Sequence, residues 1–182
     1  MTFTEEQEQL RGAVATLLAK RSDSAAVRKA VESDRGYDAD LWQTMCEQIG
    51  VAALAVPEEY DGAGAGLEEA FVVLEELGRR LTPSPMLSSV LASQLLLALG
   101  DAEANARLLP GIAAGTTIAA VSWAGSDGYV LDGDNADVLL AVTEAGVLEV
   151  DPNAPGVTRT RIAAMDPTRR FATVEFDEST AR

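Results

Sequence analysis

The spacing of apolar residues changes near Gly115, and that change decides what the chain can fold into. Before it, hydrophobic residues recur three and four positions apart; after it, they gather in short β-branched runs separated by Gly, Pro and Asp. Helices followed by a run of strands predict an α+β protein, not alternating βαβ units. The sequence therefore divides into an all-α helical domain over residues 1–114 and a small antiparallel β domain over 115–182.

Local signals place the elements. Thr4 and Gln7 have capping-box spacing, and Leu10, Val14, Leu17 and Leu18 follow as one stripe. Ser24 is expected to cap a second helix carrying Val27 and Val31. Asp38 is expected to cap a third, where Leu41, Trp42, Met45 and Ile49 share a face and Gly50 supplies the stop. Over 67–81, Leu67, Phe71, Leu74 and Leu81 are expected to face inward. Glu75–Arg79 and Glu76–Arg80 are the expected outward pairs. Pro85 opens a helix over 86–99 that is apolar nearly all round and so belongs at the centre of the domain. Asp101 caps a sixth helix, expected to end before Pro110. Strands are expected over 117–123, 138–143, 147–150, 157–162 and 171–176.

Composition removes several functions. With 29 acidic and 14 basic residues the net charge is −15, which opposes nucleic acid and anionic membranes. An anionic ligand would need a local cluster of donors. The chain has no histidine, so Ser-His-Asp and Cys-His chemistry is excluded. Cys46 is the single cysteine, too few for an internal disulfide or a thiolate cage, and its apolar helical setting reads as inert packing. The first residues are acidic with no apolar core, and the apolar stretch 86–100 is too short to span a bilayer. A cytoplasmic protein is expected.

Three local patterns have plain structural readings. The glycine-rich segment 61–66 lacks the βαβ setting of a dinucleotide loop and reads as a turn feeding the next helix. The pairs Glu58-Glu59, Glu68-Glu69 and Glu75-Glu76 read as solvated faces, because adjacent helical residues do not face each other. Arg159, Arg161, Arg169 and Arg170 read as ion-pair partners of local acids more than as a phosphate patch. No catalytic residue and no metal ligand is assigned.

Longer motifs add a resemblance. Residues 50–64, including Val56-Pro57-Glu58-Glu59-Tyr60, resemble the acyl-CoA dehydrogenase pattern G-h-x-x-h-x-V-P-E-x-Y-G-G-x-G. Leu74-Glu75-Glu76-Leu77-Gly78-Arg79 is similar to the helix that follows it. Leu109-Pro110-Gly111-Ile112-Ala113-Ala114-Gly115 is similar to L-P-x-I-A-x-G, and 129–137 resemble W-I-T-N-G-x-x-A-D. The four matches stand in the family's order across nearly the whole chain. The resemblance implies a helical domain and a β domain that hold FAD and an acyl-CoA thioester against a third, C-terminal helical domain. The family's base is a glutamate of that third domain, which has no counterpart here. It also implies an oligomer, homomeric or with a second acyl-CoA dehydrogenase subunit, and includes paired bacterial enzymes acting on steroid side-chain thioesters.

By the same resemblance, Ser122, Trp123, Tyr129, Val130 and Leu131 occupy flavin-contacting positions and Ser126 a substrate position. Trp123 stands where glutamate is usual, and Leu131 where a hydroxyl is usual. The chain alone is therefore expected to hold FAD weakly, and a non-catalytic partner or scaffold subunit is the alternative reading. The family's strand pair between the G-S-D region and W-I-T is missing, since Gly128 runs directly into Tyr129. The natural chain is expected to be longer both there and beyond Arg182.

Overall fold

The computed structural model describes residues 3–123, 128–144 and 146–177. Six helices come first: α1 (Glu5–Arg21), α2 (Ser24–Glu32), α3 (Ala39–Ile49), α4 (Leu67–Arg79), α5 (Met86–Leu99) and α6 (Ala102–Ala113), with a 3-10 turn at Glu58–Tyr60. The capping box forms, with Gln7 N donating to Thr4 Oγ1 at 3.2 Å and Thr4 N to Gln7 Oε1 at 3.0 Å. Asp38 caps α3, and Gly50 ends it at φ 75. The cap of α2 is Asp23 and not Ser24: its carboxylate accepts from the Ala25 and Ala26 N–H groups, leaving Ser24 as the first helical residue.

Three expectations about helix faces and ends are corrected. On α4 the core side consists of Ala70, Val72, Val73 and Leu77, whereas Phe71 and Leu81 are 55% and 56% exposed. The helix lies along α1 through its smaller residues, which permit the closer approach. Glu76 is buried on that same seam and pairs with Arg11 Nε at 3.0 Å and Arg79 Nε at 3.1 Å, not with Arg80. The Glu75–Arg79 pair forms on the outside as expected.

On α5 the buried residues include Ser88, Ser89, Ala92 and Ser93, while Leu99 is 49% exposed and Leu87, Leu91 and Leu95 are half-buried. Small side chains let α5 sit close to the first strand and to α6. Two of the serines return their hydroxyls to the preceding turn, Ser88 to Pro85 O at 2.9 Å and Ser93 to Val90 O at 3.0 Å. Finally, α6 continues through Pro110, because Leu108, Leu109, Ile112 and Ala113 are all buried and outweigh the lost backbone bond.

Six strands follow: β1 (Ala119–Ser122), β2 (Tyr129–Leu131), β3 (Val138–Thr143), β4 (Gly146–Val150), β5 (Thr158–Ile162) and β6 (Phe171–Glu175). They form two three-stranded sheets, ordered β1-β3-β4 and β2-β6-β5. Three pairings are antiparallel; β1 and β3 run parallel, so the segment between them crosses over and leaves β2 in the other sheet.

The first apolar core lies among α1, α3, α4 and the start of α5, with Trp42 and Met45 inside it. A second joins α5 and α6 to Ala119, Val121 and Leu140, so helices and first sheet share one interior. A third fills the space between the two sheets around Val130, Leu139 and Val174. Trp42 Nε1 donates to Gly115 O at 2.9 Å, pinning the point where helices hand over to strands.

Candidate functional site

Two of the predicted contact residues, Tyr129 and Leu131, lie on the outer face of the β2-β6-β5 sheet. Alternation puts Tyr129 and Leu131 on one side of β2 and Val130 on the other. Register then builds two cross-strand rows, Tyr129–Thr173–Thr160 and Leu131–Phe171–Ile162. Tyr129 is 73% exposed, while Leu131, Phe171 and Ile162 are half-buried. The result is an apolar strip topped by an exposed phenol ring. Trp123, directly after β1, is 58% exposed and adds a second aromatic surface.

Backbone polarity on β2 follows the same alternation. Asp132 N donates to Arg170 O at 2.7 Å, which makes the even-numbered positions the ones bonded to β6. The N–H and C=O groups of Tyr129 and Leu131 therefore point to the edge away from β6. Leu131 offers no side-chain donor, but its backbone offers one.

The other predicted residues are placed differently. Ser122 is buried, and Val130 is fully buried in the core between the sheets, so its side chain faces away from the strip. Ser126 lies outside the described residues.

The four arginines divide. Arg170 holds Asp134 through contacts of 2.8, 2.9 and 2.6 Å, with both side chains largely buried. Arg159 donates to the Asp134 and Ala136 carbonyls at 3.1 and 3.0 Å, not to a carboxylate. Arg161 and Arg169 hold no ion pair among the described residues. Arg161 is exposed, and Arg169 is half-buried within electrostatic reach of Asp132 and Asp166.

One residue escaped the sequence reading. Asp132, next to Leu131, adopts φ 56 and is only 5% exposed. Its Oδ2 lies 2.7 Å from Ser88 Oγ of α5. Burial pushes its carboxyl up to about 6, with the Ser88 hydrogen bond and Arg170 and Arg169 pulling it down and Asp134 pushing it further up. An Asp-Gly-Asp sequence reads as an exposed turn, and no local signal shows that α5 covers it. The crevice beside it, lined by Tyr37, Ser84, Leu87, Leu131 and Arg170, has about 10 Å³ of free space, room for one water.

Two wider clefts lie elsewhere. One of about 680 Å³ mixes Arg21, Lys29 and Arg35 with Asp34, Asp38 and Asp40, and one of about 390 Å³ lies against Val56, Pro57 and Gly64. No predicted site residue lines either. Among the described residues no group of His, Cys, Asp and Glu could hold a metal, and no helix is long and apolar enough to cross a membrane.

Known proteins share this fold. Residues 4–116 match the family description "Acyl-CoA dehydrogenase, N-terminal domain". Acyl-CoA dehydrogenase IpdE2 of Mycobacterium tuberculosis is 44% identical over 179 residues, covering 98% of this chain and 54% of that protein. The chain spans about half the length of the curated relatives it matches. Among solved structures, the ChsE4-ChsE5 complex from Mycobacterium tuberculosis superposes with a TM-score of 0.84 at 26% identity, covering 100% of this chain and 56% of that one. The Tcur3481-Tcur3483 steroid ACAD has the same fold, with a TM-score of 0.81 at 24% identity, covering 97% and 55%.

The IpdE2 match also corrects one expectation. Its 179 residues cover 98% of this chain, which leaves no room for an extra strand pair in that relative. The short passage into Tyr129 is therefore shared with IpdE2 and is no gap in the chain. Fold, motif order and sequence match agree, and the chain belongs to the acyl-CoA dehydrogenase family.

Proposed function

We propose that this chain forms the helical domain (1–114) and β domain (115–182) of a subunit in a FAD-dependent, cytoplasmic acyl-CoA dehydrogenase. Its substrate class in this reading is a steroid-derived acyl-CoA thioester, and its partner a second acyl-CoA dehydrogenase subunit. The observation that carries the reading is the half-buried apolar row Leu131–Phe171–Ile162 with the exposed rings of Tyr129 and Trp123. The hetero-complexes ChsE4-ChsE5 and Tcur3481-Tcur3483, the latter described as a steroid ACAD, support the pairing and the substrate class.

Members of this family are FAD-dependent, and the strip suits one face of a flat aromatic ring system. Tyr129 and Trp123 supply stacking surface, and the Leu131 N–H supplies a donor at the sheet edge. When bound, FAD would accept the hydride removed from the acyl chain. The residues of this chain position it and keep water from its face. Among the described residues the buried carboxylates are Glu76, paired with Arg11 and Arg79, and Asp132, bonded to Ser88.

The alternative is a subunit that keeps the fold and has lost the chemistry. Trp123 and Leu131, in place of polar flavin partners, favour it. Purifying the natural complex separates the two. Flavin absorbance that bleaches on adding a steroid acyl-CoA supports the enzyme; a colourless, inert complex with this chain present overturns it.

A further inference from the structure

We propose that the outer face of α4 is a self-association surface, on which a second copy of this chain lays its own α4 in the antiparallel direction. Leu67, Phe71, Leu74 and Gly78 recur four and three positions apart, so they form one stripe along the helix. Leu67 and Phe71 are 38% and 55% exposed, Leu74 is half-buried, and Leu81, just past the helix end, is 56% exposed. The core side of the helix is made by Ala70, Val72, Val73 and Leu77 instead. The stripe is therefore apolar surface that the fold itself leaves unused.

Gly78 supplies a slot in that stripe. Its φ is not left-handed, and a Cβ on it would meet nothing within 4 Å. Neither the backbone nor the packing inside the chain calls for glycine there, and glycine weakens a helix relative to alanine. The missing side chain leaves room on the outer face one heptad after Phe71. Antiparallel pairing centred between Leu74 and Glu75 seats each Phe71 ring over the other copy's Gly78 and brings the two Leu74 side chains together near the axis.

Charge selects the direction. Helix polarity already favours acid at the start of α4 and base at its end, here Glu68 and Arg79, with Arg80 following. Glu68 is exposed and holds no ion pair among the described residues. Parallel pairing would set acid against acid and base against base; antiparallel pairing sets Glu68 of each copy toward the Arg79–Arg80 end of the other. Glu75 approaches its own equivalent near the axis, but it is already paired with Arg79 of its own helix. A two-fold contact needs a face complementary to itself. This face has ring and slot, acid and base, on opposite sides of one point.

The test places a thiol beside the axis. Glu75→Cys in the full chain, purified with any subunit that accompanies it, is treated with a short bis-maleimide; the native Cys46 is buried and does not compete. A covalent dimer of this chain should form at about tenfold or more the yield from Leu67→Cys, whose own equivalent lies about 20 Å away along the antiparallel pair. Adding Phe71→Glu to Glu75→Cys should cut the yield about tenfold or more, because it removes the central aromatic anchor. Gly78→Gln fills the slot with a better helix former, so it should cut the yield likewise while keeping the circular dichroism of the unaltered chain. Equal yields from Glu75→Cys and Leu67→Cys, a link to a different subunit in place of a second copy, or a yield that survives Phe71→Glu overturns the proposal. None of these readouts involves flavin or turnover, so they stand or fall apart from the proposed dehydrogenase activity.

Discussion

Replacing Gly115 by alanine tests the joint between helices and strands. Gly115 adopts φ 71, and a Cβ there would lie 2.3 Å from Cys46 Sγ, 3.0 Å from Cys46 Cβ and 3.3 Å from Trp42 Nε1. Left-handed backbone costs a side-chain-bearing residue about 1–2 kcal/mol. Forcing the buried sulfur aside adds about 1–3 kcal/mol of overpacking. The sum, about 2–5 kcal/mol, would lower the melting temperature by roughly 4–20 °C for a chain of this size. The two parts separate in a double-mutant cycle with Cys46→Ala, which removes the sulfur but leaves the backbone conformation as it is. The double variant should recover about 1–3 kcal/mol relative to the sum of the single ones, measured by urea unfolding. Strict additivity would refute the steric account and leave only the backbone cost.

Three further outcomes are expected. Leu131→Thr should strengthen FAD binding several-fold in the natural complex, about 1 kcal/mol for one restored hydrogen bond, as read by flavin fluorescence titration. Burial raises the Cys46 thiol to about 12, so the folded chain should resist alkylation at pH 8 and react once denatured, as seen by mass spectrometry. Ser22 Oγ and Thr82 Oγ1 share a buried hydrogen bond of 2.7 Å, so Thr82→Val should destabilise by about 1–3 kcal/mol in chemical denaturation, with Ser22→Ala/Thr82→Val less affected than the valine variant alone.

Much of the fold is written in local signals. Thr4, Asp38, Gly50 and Asp101 act where their chemistry says they should, because a cap is satisfied within its own turn. Facing is a different matter. Phe71 and Leu81 are larger and more apolar than Ala70 and Val73, yet they lie outside, since close packing on α1 selects for size as well as hydrophobicity. The serines of α5 are buried for the same reason. The strand β2 has three residues, too few for alternation to register, and its pairing with β6 joins positions some forty apart in sequence. The candidate strip became visible only through that pairing. Resemblance supplied Tyr129 and Leu131; the geometry added that Val130 points the other way and that Asp132 is buried.

The order of strands sets a timetable for the site. During synthesis β1, β3 and β4 can close their sheet as soon as Val150 emerges, but β2 has no hydrogen-bonded neighbour until β6 is made. From Leu131 to Phe171 the ribosome takes roughly 2–8 s at ordinary elongation rates. Through that interval the Val130 and Asp132 backbone groups, which later bond to β6, are open on a strand with an apolar side, the kind of segment that recruits chaperones or a neighbouring chain. Any chain that pairs with β2 in that window competes with β6 for the same backbone groups.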